Sequence, residues 1–410
     1  MIAEQYLETI KLDYDSIFES KIDELKREGC YRYFLDVNKS ARHFPKFYYA
    51  DQNGDKKSAI NWCSNDYLCM SVNEEVISKL SYTAHRSGAG SSGTRNISGT
   101  TNYHRELEST LANLHEKESA LLFNGAYLAN VTALSTLGRI LPNCAIISDE
   151  RNHASIIEGV KASGCDKYIF RHNDVAHLQQ ILEQLDISRP KIIVFESVYS
   201  MNGNISPIGE IVKLAKLYNA LTYVDEVHAV GLYGEQGAGL VSTLHKKDQV
   251  DIINGTLAKG FGVIGGYIAA KQSIIDTVRS FGSGFIFTTS LPPAICSAAN
   301  RSIQMLMADK TIRSRYQEKV REFRDLLNEN GIKFLPNNSH ITSIPIGGSK
   351  RCRKISDRLL NEFEIYIQPI NYPTVKYGEE CLRITITMRH ETCDMFYLAK
   401  SLKTVLNESA

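Results

Sequence analysis

Three apolar runs in this 410-residue chain end in polar residues of types that do chemistry. "KIIVFESVYS" ends in Glu196 and Ser200, "LTYVDEVHAVG" in Asp225 and His228, and "DIINGTLAKGFG" in Thr256 and Lys259. Singly each has a plain structural reading, with Asp225 capping a turn and Lys259 a solvated cation. Together they read differently. The small and apolar neighbours of Lys259 in "GTLAKGFGVIGG" desolvate its amine and favour the neutral, nucleophilic form. Such an amine, with an acid 34 residues before it, meets the two needs of pyridoxal phosphate: a lysine for its aldehyde and an acid against its ring nitrogen. His153, just after "AIISDE", offers a flat ring for the cofactor's face, although a lone histidine there also reads as a helix-opening hydrogen-bonder. "LLFNGAYLAN" gives a strand, a turn from Asn124 to Tyr127 and a helix, so backbone N–H groups are available to a phosphate, and Thr256 adds a hydroxyl.

Groups at strand ends are gathered by a parallel sheet whose C-terminal edge forms a crevice. From about residue 119 to 270 the runs "SALLF", "AIISDE", "KYIFRH", "KIIVFES", "LTYVDEV", "DIINGTL" and "GYIAA" alternate with helical patterns. The helices are "HASIIEGVKASG", "DVAHLQQILEQL" and "PIGEIVKLAKLYNA", the last opened by Pro207 in its first turn. Continuous apolar strands alternating with helices predict an α/β domain, a mostly parallel sheet covered by helices on both faces. After "SLPPAICSAANRSIQMLMADK" a polar helix, then "IKFL", "TSIPIG", "KISDRLLNEFEIYIQPI" and "CLRITIT", predict a smaller α+β domain. The expected division is an N-terminal segment 1–58, a large catalytic domain 59–300 and a C-terminal domain 301–410.

"SGAGSSGTRNISGTTNYHRELE" sets Gly88, Gly90 and Gly93 at the spacing of a dinucleotide loop. That fingerprint needs a strand feeding the glycines, and here Val76, Leu80 and Ala84 predict a helix instead. Net charge is +1 with both signs interspersed, which gives no basic face for nucleic acid. Nine cysteines without a C-x-x-C or C-x-x-H cluster exclude a disulfide framework and a zinc site as expectations, so no metal is expected. No run approaches the 18 or so apolar residues of a membrane span, and the acidic N-terminus has neither a signal core nor a transit pattern. A bacterial cytoplasmic location is expected ahead of the mitochondrial matrix.

The blocks "EGCYRYF", "WCSNDYL", "SGTRNISGTTNYH", "SDERNHASIIEG", "FESVYSMNGNISPI", "YVDEVHAVGLYG", "DIINGTLAKGFGVIGGYIAA", "GFIFTTSLPP" and "IQPINYPTV" resemble, in order, the 5-aminolevulinate synthase family. That family lies in the α-oxoamine synthase group of pyridoxal-phosphate enzymes, which have the aspartate-aminotransferase type of fold. The resemblance implies decarboxylative condensation of glycine with succinyl-CoA. It implies Lys259 as Schiff-base lysine and general base, Asp225 at the pyridine nitrogen, His153 stacked on the ring, and His228 and Ser200 near the phenolic oxygen, His228 also near the reacting carbonyl. Thr256, Ala126, Tyr127 and Ser148 join the cofactor contacts, and Thr288 and Thr289 reach the phosphate of the neighbouring subunit, which implies a homodimer. Asn65 and Arg383 hold the glycine carboxylate. Thr94, Asn96 and Ile97 face the acyl chain, Arg32 serves its far carboxylate, and Lys167 and Thr374 complete the substrate set. The chain departs from the family at Ala258, at Cys30 and in "ITITMRHE" after Arg383. A sister enzyme using another acyl-CoA, such as 2-amino-3-ketobutyrate ligase or 8-amino-7-oxononanoate synthase, and a degenerate binding protein on the same fold are the competing expectations.

Overall fold

The computed structural model describes residues 12–51, 53–244 and 250–408, so the first 11 residues of the expected N-terminal segment lie outside the described residues. A helix, Tyr14–Glu28, precedes the short strands β1 (Val37–Lys39), β2 (Lys46–Ala50) and β3 (Lys56–Asn61). The helical spacing before the glycines forms the helix Glu74–Ser87, capped by Asn73, whose side chain accepts from the N–H groups of Glu75 and Val76. Gly88 ends it at φ 83°, a conformation that favours glycine. No strand feeds the loop.

The seven expected runs form seven strands: β4 (Ser119–Phe123), β5 (Ala145–Asp149), β6 (Asp166–Phe170), β7 (Lys191–Glu196), β8 (Leu221–Asp225), β9 (Ile252–Thr256) and β10 (Gly266–Ala270). They make one sheet in the order β4-β10-β9-β8-β7-β5-β6. Only β10 runs against its neighbours, pairing antiparallel with β4 and β9. Alternate residues face opposite sides. Ile146, Ile192 and Val194 pack under the helix Ala126–Ile140, while Ile147, Ile193 and Phe195 pack against Ile211 and Val212 of the helix Ile208–Leu217. Burial on both faces explains why these strands carry unbroken apolar sequence. Pro207 is the N-cap of the helix Ile208–Leu217 and not a first-turn residue, since its φ of −75° and ψ of 63° lie outside the helix.

Beyond the sheet come β11 (Ile341–Pro345), β12 (Ile365–Tyr366), β13 (Pro369–Ile370) and β14 (Cys381–Thr385), with the helices Ile312–Glu329, Ser349–Phe363 and Thr392–Glu408. "IKFL" forms no strand. Leu335 makes one bond to Ser343, and Pro336 then supplies no N–H to continue a ladder. The expected boundary at 300 falls inside the helix Pro293–Ala308, and β12 pairs in parallel with β3, so strands of the N-terminal segment share a sheet with the C-terminal part. The core agrees with this, because Trp62, Tyr67, Leu107, Phe261, Phe323 and Ile384 belong to one buried cluster.

β10 lies against the start of the helix Ala126–Ile140 so closely that a Cβ on Gly266 would stand 2.1 Å from the Ala126 nitrogen. Backbone cannot yield cheaply there. Gly266→Ala is therefore expected to cost about 1–3 kcal/mol of stability and to speed amide exchange at residues 126–129, measured by denaturant unfolding and hydrogen exchange.

Candidate active site

The C-terminal ends of β7, β8 and β9 meet at a pocket of about 250 Å³ whose wall includes Ala126, Tyr127, His153, Asp225, Thr256 and Lys259. Register explains part of this convergence, since Glu196 stands opposite Asp225 and Asp225 opposite Asn254.

Asp225 is buried, and its carboxylate is served by amides. Oδ2 accepts from Asn130 Nδ2 at 2.7 Å and from Asn254 Nδ2 at 3.1 Å, while Oδ1 accepts from the Val227 N–H at 2.8 Å. The last bond is the turn cap of the plain structural reading. Asn130 is fixed by Tyr223, whose hydroxyl donates to its Oδ1 at 2.8 Å. Beside Asp225, Glu196 is fully enclosed, and burial first, then the neighbouring Asp225 charge, push its carboxyl well above the usual range. Enclosure thus favours its protonated form.

Burial lowers the Lys259 amine to about 8, with Asp225 holding it up and Arg383 pushing it further down. His153 is the N-cap of the helix Ala154–Ser163: its Nδ1 accepts from the Ser155 N–H at 3.2 Å. Its ring nonetheless lines the pocket, and burial, together with Lys259, lowers its pKa against the pull of Asp225. The helix-capping reading of His153 is seen directly, and the ring faces the same cavity as Lys259. His228 is buried and held well below its usual pKa by desolvation, then by Lys259 and Arg383, so it is neutral.

His228 Nδ1 stands 3.0 Å from the hydroxyl of Tyr67. Tyr67 is a node that sequence reasoning missed. Its hydroxyl donates to Asn65 Oδ1 at 3.1 Å or to His228, and it accepts from Arg383 Nη2 at 3.2 Å. Arg383 Nη1 also reaches Asn65 Oδ1 at 3.2 Å, and its Nε donates to the Ser200 carbonyl at 2.6 Å. Asn65, Ser200 and Arg383 are therefore one cluster, joined to the pocket through His228. The "ITITMRHE" segment is tied to this cluster, since Thr385 N bonds the Trp62 carbonyl at 2.8 Å and Met388 N the Tyr67 carbonyl at 2.9 Å. Cys30 is buried with its thiol 3.4 Å from Ser349 Oγ, and the Ala258 N–H bonds Thr256 Oγ1 at 3.1 Å.

The remaining expected residues divide. Arg32 Nη2 donates to Thr374 Oγ1 at 3.1 Å on the surface. Thr94 bridges Thr289, while Asn96 and Ile97 are exposed, Ile97 at 85%. Thr288 and Thr289 line a neighbouring cleft together with Asn124, whose Nδ2 donates to the Thr289 carbonyl at 2.8 Å. None of these expected residues lines the pocket itself, and neither do the last two. Ser148 is buried on β5, accepting from Asn152 Nδ2 at 2.8 Å, and Lys167 is exposed at the N-terminal end of edge strand β6, away from the edge where the pocket opens.

A family model, aminotransferase class I and II, matches residues 57–399. A structure of Sphingomonas wittichii serine palmitoyltransferase superposes with a TM-score of 0.88 at 26% identity over 97% of this chain and 99% of that one. A high-resolution structure of SPT with pyridoxal phosphate matches equally well, at a TM-score of 0.88 and 26% identity. Fold and site thus define a pyridoxal-phosphate-dependent enzyme of fold type I, in the aminotransferase class I and II family. The 5-aminolevulinate synthase of Bradyrhizobium diazoefficiens is 47% identical over 96% of both chains, and that of Rickettsia bellii 49% identical over 92% of this chain and 90% of its own. Within the class, the chain belongs to the 5-aminolevulinate synthases, pyridoxal-phosphate-dependent acyltransferases. The donor set here fits that cofactor: a desolvated amine, a buried carboxylate, a flat ring and a helix start share one cavity.

The lowered lysine gives a pH signature. Its folded pKa lies below the ordinary value, so the cost of burying the cation is fully present below about pH 8 and fades as pH rises from there to the unfolded value. Lys259→Met is expected to stabilise the cofactor-free protein more at pH 7 than at pH 10, measured by urea unfolding at both.

Proposed function

We propose that Lys259, Asp225, His153 and His228 carry the decarboxylative condensation of glycine with succinyl-CoA to 5-aminolevulinate, CoA and carbon dioxide. The observation supporting these roles is the placement of the Lys259 amine, lowered to about 8, on the same small cavity as the amide-served carboxylate of Asp225. Pyridoxal phosphate, when bound, supplies the conjugated ring that stores the electron pair of the broken glycine C–H bond. Asp225 would hold the ring nitrogen in its cationic form and His153 would lie on the ring face. The first N–H groups of the helix Ala126–Ile140, with Thr256, would serve the phosphate.

Lys259 takes the glycine α-proton. An amine near 8 is partly neutral at working pH and still basic enough to accept a proton, the compromise that general-base catalysis favours. Arg383 and Asn65, held within 3.2 Å of each other, present their free donors to the glycine carboxylate. Neutral His228, in the tautomer whose Nδ1 accepts from Tyr67, would offer its Nε2 proton to the carbonyl oxygen of the thioester. Thr94, Asn96 and Ile97 form the acyl wall, Arg32 and Thr374 read the far carboxylate, and a second copy of this chain adds Thr288 and Thr289 near the phosphate. Ser148 and Lys167, outside the pocket of a single chain, would complete the proposed contacts. Among the described residues no helix is long and apolar enough to cross a membrane, and a bacterial cytoplasmic location completes the reading.

Asp225→Asn is expected to slow exchange of the glycine α-proton, measured without acyl-CoA, by on the order of a hundredfold or more, because a neutral amide cannot hold the ring's positive charge. Exchange at the wild-type rate would move that role elsewhere. Arg32 is solvent-exposed, so its carboxylate contact is made at a surface and not with a buried pair. Arg32→Leu should accordingly lower kcat/KM for succinyl-CoA by at least about tenfold while sparing butyryl-CoA, a comparison in which misfolding would depress both. An unchanged ratio of the two substrates would remove Arg32 from acyl recognition.

A further inference from the structure

The glycine-rich loop from 88 to 101 is fastened at its two ends and, separately, at its middle. At the ends, Ser290 N donates to the Gly93 carbonyl at 3.1 Å, Ser290 Oγ to the Gly99 carbonyl at 2.7 Å, and Ser91 Oγ to the Ser290 carbonyl at 2.8 Å. The close approach explains the glycines. A Cβ on Gly99 would stand 2.2 Å from the Gly93 oxygen. In the middle, Arg95 forks onto Glu108 of the helix Asn102–Leu114, Nη1 to Oε1 at 2.7 Å and Nη2 to Oε2 at 2.9 Å, with side chains 10% and 15% exposed. Arg95 Nε donates to Thr100 Oγ1 at 3.0 Å, and the guanidinium lies 5.6 Å from the Phe285 ring centre. Glu108 Oε1 also accepts from the Leu122 N–H of β4 at 3.1 Å, which ties the loop to the sheet that builds the pocket.

Arg95 sits between Thr94 and Asn96. The Thr94 hydroxyl is buried with no partner among the described residues, the state expected of a group kept for a ligand. We propose that the Arg95–Glu108 pair positions the acyl-reading side of this loop: it fixes where Thr94 and Asn96 stand without itself touching the acyl group. The proposal rests on the reading of those two residues as the acyl wall. A bidentate guanidinium sets both the distance and the rotation of its backbone, whereas a lysine ammonium offers a point charge and sets neither. The ends stay pinned to Ser290 and the Thr94 backbone stays bridged to Thr289, so loss of the pair loosens the turn through Arg95 and Asn96 and the aim of the side chains beside it. The effect falls on acyl recognition and not on the glycine step, because Lys259, Asp225 and Arg383 are held by other elements.

The experiment uses the holoenzyme with Arg95→Leu, Arg95→Lys and, as the isosteric variant least disturbing to the fold, Glu108→Gln. Three readouts are taken: kcat and KM for succinyl-CoA and butyryl-CoA, glycine α-proton exchange without acyl-CoA, and amide exchange at residues 94–98. Arg95→Leu and Glu108→Gln are expected to raise the KM for succinyl-CoA at least about tenfold, to narrow its advantage over butyryl-CoA, and to quicken amide exchange in the loop. Glycine exchange stays within about twofold of wild type, and Arg95→Lys recovers part of the loss. Unchanged amide exchange at 94–98 overturns the clamp itself. A loosened loop with an unchanged acyl preference overturns the proposal through the reading it rests on, and an equal loss of glycine exchange assigns the pair a general structural role instead.

Discussion

A carboxylate that must stay buried beneath an amine organises the centre of this enzyme. Asp225 lies at the end of a central strand with no cation bonded to it among the described residues, and two side-chain amides and a backbone N–H take up the hydrogen bonds it would have made to water. Ammonium or guanidinium partners there would have neutralised it and left nothing for a cationic ring. Amide donors satisfy the oxygens while leaving the charge available. Asn130 comes from the helix Ala126–Ile140, Asn254 from β9 and Tyr223 from Asp225's own strand, so the requirement of one carboxylate ties three elements together.

The same enclosure sets the protonation of the surrounding groups by desolvation. Glu196 is driven up and His228 down, each towards its neutral form, and Lys259 is brought down to about 8. A second carboxylate or an imidazolium there would set a like charge beside Asp225 or beside the protonated Lys259. Neutral neighbours avoid both. Burial thus keeps several titratable side chains together without a clash of like charges.

Arg383 belongs to β14 and Asn65 and Tyr67 to the segment after β3, yet their side chains form one hydrogen-bonded cluster. The pairing of β12 with β3 and the bonds from Thr385 and Met388 back to Trp62 and Tyr67 make those two stretches a single body. The Asn65–Arg383 cluster is accordingly built by the junction of two stretches far apart in the chain, and the pocket by the sheet. His228, which touches Tyr67 from the sheet side, joins them.

The sequence by itself determined the seven strands of the large sheet and the residues at their ends, because a strand buried on both faces writes itself as a local apolar run and the break in that run marks its end. Asp225, Lys259 and His153 were legible for this reason, as was the absence of a strand before Gly88. Other residues gave no local signal. Asn130 is one of several polar residues in a mostly apolar helix, 95 positions from the carboxylate it serves, and Tyr67 meets Arg383 across 316 positions. The helix through residue 300, the shared sheet of the two chain ends, and the placement of Ser148 and Lys167 away from the pocket likewise depend on contacts distant in sequence. Only the tertiary structure decided these, since a side chain's hydrogen-bond partner and its exposure to water are fixed by what packs against it and not by its neighbours along the chain.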